Sequence, residues 1–244
     1  MKHQGLFERT SILLQDEGID KLKASRILLA GVGGVGSYAA EALARSGIGY
    51  MKIIDADTVA PSNLNRQLVA LNSTVNEKKV DVMAKRIHDI NPNCQVEVVS
   101  EFIRQDNMEA LFSEPYDYVL DAIDSLSCKV AYVRTAWEKK YRVISSMGAG
   151  GKIDPTLIQV KEIYKTKVCK LARLMRIRLK RQGVGKGIKA VFSEESPIAP
   201  LPPEPVSGEG RERAVNGTIS YMPALFGLTM AGEVIKDLIH NYTR

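Results

Sequence analysis

The sequence is poor in cysteine and histidine. Its three cysteines, Cys94, Cys128 and Cys169, lie far apart with no C-x-x-C among them. That excludes an intrachain disulfide framework and a four-cysteine zinc site. The three histidines, His3, His88 and His240, are dispersed and are assigned no chemistry. The first residues, MKHQGLFERTSILLQDEG, hold no apolar run before their charges, so no secretory signal is expected. With so little cysteine, a reducing cytoplasm is the expected compartment. No internal repeat is visible. One uncharged run exists, AVNGTISYMPALFGLTMAG at 214–232, close to the ~20 residues of a spanning helix. Asn216, Thr218, Ser220 and Pro223 interrupt it and the amphipathic EVIKDLI follows, so a buried C-terminal helix is expected and stable membrane insertion is not.

What remains is ordinary globular composition, 45% hydrophobic and 25% charged over 244 residues, enough for one large α/β domain. Charge is unevenly placed. The net charge is +6, yet 161–190 carries eleven Lys or Arg against one acid, Glu162. The rest of the chain, with 23 basic and 27 acidic residues, sums to −4. The basic character belongs to one segment.

Strand and helix signals alternate from 25 to 147. SRILLAGV is a buried strand, SYAAEALARSG a helix stopped by Gly47, and YMKIIDAD a second strand. Val80, Met83, Ile87 and Ile90 predict a helix within 75–92, ended by Pro92. QVEVVSEF, YDYVLDAI and YRVISSM are further strands, and DNMEALF is a short helix with Asp106 as its expected cap. Alternation of this kind implies a doubly wound, mainly parallel Rossmann-like sheet. After Gly151 the rhythm changes to a strand in TLIQVKEIY, a basic helix over 167–181, a short strand IKAVFS, a proline-rich loop SPIAPLPPEPVSGEG and a last helix near Pro223. A single domain is expected, with an N-terminal helical segment (1–24), a nucleotide-binding core (25–150) and a substrate-side extension (151–244).

The stretch GVGGVGS, with Gly31, Gly33, Gly34 and Gly36, follows a predicted strand and opens a predicted helix. In that context a G-x-G-x-x-G places backbone N–H groups and a helix N-terminus around phosphate. Asp55, at the end of the second strand, is placed to hold ribose hydroxyls, which NAD, FAD and ATP all present. Arg66, Lys79 and Asp124 then bear on the ligand. Taken singly, each reads as a solvated charge or a cap. Together they suit an enzyme that breaks the α–β linkage of ATP, where charge builds on the α-phosphate and on departing pyrophosphate.

The set GVGGVGS, IDADTVAPSNLNRQ, the lysine before VDVMAKRI and the aspartate of DAIDS resembles the ThiF/MoeB/HesA family of ubiquitin-activating-enzyme-like adenylyltransferases. The resemblance runs to about residue 160 and returns at ALFGLTMAGEVI. It implies that Asp55 binds ribose, that Asn63, Arg66 and Lys79 handle the triphosphate, and that Asp124 sits near magnesium. FERTSIL resembles the family's leading segment, which implies a homodimer with Arg9 acting in the partner's site.

SMGAGGKIDPTLIQV and AVFSEESP resemble the tRNA threonylcarbamoyladenosine dehydratase branch. That branch implies ATP, magnesium and tRNA as ligands, with a monovalent cation near the glycine stretch and a sulfur-relay protein as further expectations. Adenylation of the threonine carboxylate, followed by ring closure with loss of AMP, needs no enzyme thiol. Cys169, flanked by lysines, is the one cysteine whose surroundings would favour a thiolate. The competing readings are activation of a sulfur-carrier protein's C-terminal glycine and a nicotinamide-dependent oxidoreductase. In 167–181, Val168, Leu171, Met175 and Leu179 recur at helical spacing beside Lys167, Lys170, Arg173, Arg176 and Lys180. Lys170, Arg173, Arg176 and Lys180 are the expected tRNA contacts, with no DNA partner expected.

Overall fold

The computed structural model describes residues 5–199, 201 and 216–239. Most of the expected proline-rich loop lies outside the described residues. In chain order the main elements are α1 (Glu8–Ala24), β1 (Arg26–Ala30), α2 (Gly36–Ser46), β2 (Tyr50–Ile54), α3 (Lys79–Ile90), β3 (Gln95–Val99), α4 (Met108–Leu111) and β4 (Tyr118–Asp121). There follow α5 (Leu126–Glu138), β5 (Arg142–Ser146), β6 (Ile158–Glu162), α6 (Lys170–Arg181), β7 (Ile188–Ser193) and α7 (Tyr221–Leu238).

The seven strands form one sheet ordered β3-β2-β1-β4-β5-β7-β6. All neighbours are parallel except β6, which pairs antiparallel with β7 at the edge. Because side chains alternate along a strand, each strand feeds two cores. Ile27, Leu29, Met51, Ile53 and Leu120 face α2, α3 and α7, whereas Leu28, Ala30, Ile54, Val119 and Val143 face α4, α5 and α6. Both faces are covered at the centre of the sheet, which explains why β1 and β4 read as apolar runs, whereas the edge strand β3 alternates and is partly exposed.

Strand order reverses between β1 and β4, since the chain winds outward from β1 to β3 and then returns to the other side of β1. Such a switch point leaves a crevice beyond the carboxyl ends of the strands. The C-terminal helix closes one flank. A Cβ on Gly227 would lie 2.2 Å from the Val35 carbonyl oxygen, so only glycine lets α7 sit this close to α2. From Tyr221 onward the uncharged run is thus a packed helix, with Met222, Phe226, Met230 and Val234 buried. No helix among the described residues is long and apolar enough to cross a membrane.

Three boundaries differ from the sequence expectations. The helix expected within 75–92 starts only at Lys79, because residues 76–79 pair with the loop after β2. Val59 N–H donates to the Glu77 carbonyl and Lys79 N–H to that of Asp57. The short helix α4 is entered through Asn107, not Asp106, and Asn107 Oδ1 accepts the Arg104 N–H. The basic helix starts at Lys170 because Val168 adopts a left-handed φ of 61°. Val168 therefore stands outside the helix, 51% exposed, and the buried stripe of α6 is Ala172, Met175 and Leu179.

Candidate active site

A cleft of about 580 Å³ opens at the switch point, walled by the loops after β1, β2, β4 and β5. Gly31, Gly33, Gly34, Asp55, Asn63, Arg66, Lys79 and Asp124 all line it. Gly36 does not. It lies below, and a Cβ there would fall 1.8 Å from the Gly31 carbonyl oxygen. Gly31 itself has φ +89°, and its Cβ would meet the Ala122 carbonyl at 2.6 Å. These two glycines fold the loop tightly. A Cβ on Gly33 would meet nothing nearer than the Gln67 amide at 3.6 Å, so backbone at Gly33 is open to the cleft.

Asp55 caps the end of β2 and ties two loops. One carboxylate oxygen accepts Val32 N–H at 2.7 Å and the other accepts Asp57 N–H at 2.9 Å. Burial pushes its pKa above the ordinary value, with the two backbone donors and the charge of Lys79 pulling the other way. The ends of both oxygens remaining toward the cleft suit hydroxyl donors such as a ribose diol.

Lys79 is the first residue of α3 and is 5% exposed. Its ammonium lies 2.7 Å from Asp57 Oδ2. Asp57 was not singled out from the sequence, although it stands two residues beyond Asp55 in IDAD, on the spacing of one strand face. Asn63 is buried and turned inward: its Oδ1 accepts Ala60 N–H at 3.0 Å, and its amide donors make no other hydrogen bond among the described residues. Arg66 donates to the Ser62 carbonyl at 2.8 Å and to Asn65 Oδ1 at 2.9 Å. Asn65 in turn donates to the Thr218 carbonyl at 2.9 Å, so the loop bearing Arg66 is tied to the segment before α7.

Two features mark the cleft as built for a polar ligand. Gln67 Oε1 is buried without a hydrogen-bond partner among the described residues. Asp124 is exposed, and its carboxylate makes no ion pair or hydrogen bond among the described residues. A single uncommitted carboxylate beside a glycine loop fits magnesium carried chiefly by phosphates and water. No cluster of three metal-ligating side chains occurs among the described residues.

The substrate side of the cleft holds Ala149, Gly150, Thr218 and Pro223. Lys152, 4% exposed, donates to the Gly148 carbonyl at 2.6 Å, and burial holds its amine below the ordinary value. Helix α6 begins beside this stretch, with Leu171 touching the space beside Gly148. Lys170, Arg173 and Lys180 are exposed on α6 and make no ion pair among the described residues. Arg176 is engaged instead, donating to the Thr166 carbonyl at 3.0 Å and to its hydroxyl. Cys169, whose flanking lysines would favour a thiolate, is 4% exposed and packed in the α5–α6 core, the packing role usual for a lone cysteine. Cys94 is buried too, and burial pushes its thiol up to about 12. Arg9 lies exposed on α1, outside the residues that line this chain's cleft.

A family model described as ThiF family matches residues 7–243. The chain is 40% identical over 247 residues to the tRNA threonylcarbamoyladenosine dehydratase of Bacillus subtilis (strain 168), covering 99% of this chain and 96% of that protein. It is 38% identical over 254 residues to the enzyme of the same name from Escherichia coli (strain K12), covering 98% and 95%. Among solved structures, the E. coli tRNA N6-threonylcarbamoyladenosine dehydratase TcdA in complex with ATP superposes with a TM-score of 0.88 at 38% identity, over 96% of this chain and 94% of that one.

Proposed function

We propose that this chain, which belongs to the ThiF family, is an ATP-dependent dehydratase acting on tRNA threonylcarbamoyladenosine. The observation that carries the reading is the cleft at the switch point, where the glycine loop, Asp55, Arg66, Lys79 and Asp124 converge in a chain similar over nearly its whole length to dehydratases of that name.

The residues divide the chemistry by position. Gly33 and the N-terminus of α2 offer backbone donors to phosphate, and Asp55 takes the ribose. The threonine carboxylate of the modified adenosine attacks the ATP α-phosphorus, the α–β phosphoanhydride bond breaks, and pyrophosphate leaves. Lys79 and Arg66 stabilise the charge that accumulates on the phosphate oxygens. Asp124 would hold magnesium, which would supply further neutralisation of that charge. A nucleophilic atom of the same modification then displaces AMP from the acyl-adenylate, and the ring closes with net loss of water. Because that nucleophile is already tethered beside the acyl group, proximity supplies much of the second step and no enzyme thiol takes part. Cys169 and Cys94 are buried away from the cleft, whereas Cys128, partly exposed, lines it and is given no part in the chemistry.

The tRNA is read as lying along α6. Its outward cations Lys170, Arg173 and Lys180 start from the substrate side of the cleft, where phosphate contacts would position an anticodon loop without reading bases. The protein is expected to bind ATP with magnesium and not NAD, and Asp124→Asn to slow adenylation by roughly a hundredfold, as loss of one transition-state contact does. Isothermal titration and pyrophosphate release measure the two. Retention of NAD, or unchanged pyrophosphate release by Asp124→Asn, would refute the assignment.

A further inference from the structure

Beneath the cleft floor three polar side chains are sealed from solvent: Asp121 at the end of β4, Ser145 on β5 and Lys129 on α5, each 0% exposed. Asp121 and Ser145 are register partners, and the Ser145 hydroxyl donates to Asp121 Oδ2. Lys129 Nζ lies 2.8 Å from that same oxygen and donates to the Ile123 carbonyl at 2.9 Å. Asp121 Oδ1 accepts the Ile123 N–H at 3.1 Å. Both backbone polar groups of Ile123 are therefore held by one buried ion pair.

Ile123 directly precedes Asp124. The Asp124 carboxylate has no hydrogen-bond partner among the described residues, so the backbone at Ile123, which fixes the Cα–Cβ bond of Asp124, is what limits the positions its carboxylate reaches. A buried ion pair contributes little net stability and is often replaced by apolar residues without loss. Stability alone thus gives no reason for placing two full charges under this loop.

We propose that Lys129 and Asp121, braced by Ser145, are positioning residues that clamp Ile123 and so aim the Asp124 carboxylate into the cleft. This rests on the reading that Asp124 acts on the triphosphate. Misplacing a reacting group by about 1 Å can cost about 10²-fold in rate. The clamp therefore acts on turnover and leaves ATP affinity, set by the glycine loop and Asp55, nearly untouched.

Paired variants test it. Asp121→Asn with Lys129→Met removes both charges and the contact to the Ile123 carbonyl. It is expected to fold, to keep the ATP KM within about threefold and to lose between about tenfold and 10²-fold in adenylation kcat. Asp121→Asn with Lys129→Gln restores an uncharged donor toward Ile123 and should regain most of that loss. In an Asp124→Asn background the Asn/Met pair should cost nothing further, because sites acting through one group are not additive. A parental kcat in the Asn/Met enzyme, or a loss that adds fully to that of Asp124→Asn, would overturn the clamp. If the Asn/Met pair fails to fold, Ser145→Ala gives the same reading: a fall in kcat that vanishes in the Asp124→Asn background supports the clamp, and an additive fall overturns it. An Asp124→Asn enzyme as active as its parent would overturn the role of Asp124 itself, and the clamp with it.

Discussion

At the scale of single residues, the glycine loop separates into parts that fold and parts that bind. Gly36 has no room for a methyl group, since the Gly31 carbonyl would lie 1.8 Å away. Gly36→Ala is expected to shift the turn and to cost about 1–3 kcal/mol of stability, as overpacking does, visible as a lower Tm. Gly33→Ala meets only the far end of Gln67, so its Tm should stay near the parent's while ATP affinity falls, because the methyl group enters the cleft. Equal Tm losses for the two variants would contradict this division. Both glycines were legible in the sequence because the G-x-G-x-x-G pattern has a fixed geometric purpose. Asp57 and Lys129 were not. A lysine reads as a surface charge unless its position is weighed, and Lys129 stands three residues after Leu126 and four before Val133 on an otherwise apolar face. The ion pairs that bury Lys79 and Lys129 join residues 22 and 8 positions apart, and only the folded chain brings the first of them together.

At the scale of elements, α7 and α6 make opposite uses of charge. Helix α7 is pinned to the sheet by Lys189, whose ammonium lies 2.9 Å from Glu233 Oε2 and 2.8 Å from Asp237 Oδ1. Tyr118 donates to Asp237 Oδ2 at 2.8 Å. Burial raises both carboxyls, but the hydrogen bonds from Lys236 and Lys189 to Glu233, and from Lys189 and Tyr118 to Asp237, leave each below its ordinary value. Carboxyls lowered in the folded state contribute stability that is present above the unfolded value near 4 and is lost as pH falls through the folded value. Lys189→Met should therefore flatten the loss of stability measured by denaturant titration from about pH 5 downward. An unchanged acid limb would show that these pairs are not responsible.

Helix α6 leaves Lys170, Arg173 and Lys180 without an ion pair among the described residues. Lys170, Arg173 and Lys180 changed together to Ala should weaken tRNA binding and reduce the salt slope by about one unit per lost phosphate contact, with ATP binding intact. Arg176 is omitted because Thr166 already engages it. Equal tRNA binding by the triple variant at several salt concentrations would place the tRNA elsewhere. The alternation of strands and helices made the parallel sheet legible, and the +10 segment made α6 legible as basic. Its starting point was not, because the left-handed backbone at Val168 leaves no mark on apolar periodicity. Likewise the start of α3 is set by its pairing with residues after β2, a contact that local sequence does not encode.

At the scale of the whole molecule, the exposed position of Arg9 outside its own chain's cleft, together with exposed Ile12 and Leu13 on the same helix, motivates a homodimer whose sites are shared. Mixing Arg9→Ala with Asp124→Asn should restore activity through mixed dimers that hold one intact site. No recovery after confirmed subunit exchange would show that Arg9 works within its own chain or not at all. The reaction as a whole is tested most directly by pyrophosphate release from ATP with three additions in parallel: tRNA carrying threonylcarbamoyladenosine, the same tRNA without the modification, and a small carrier protein ending in glycine. Strong stimulation by the modified tRNA alone, accompanied by loss of one water from its modification in mass spectrometry, is the predicted result. Stimulation by the carrier protein, or release indifferent to the modification, would contradict it.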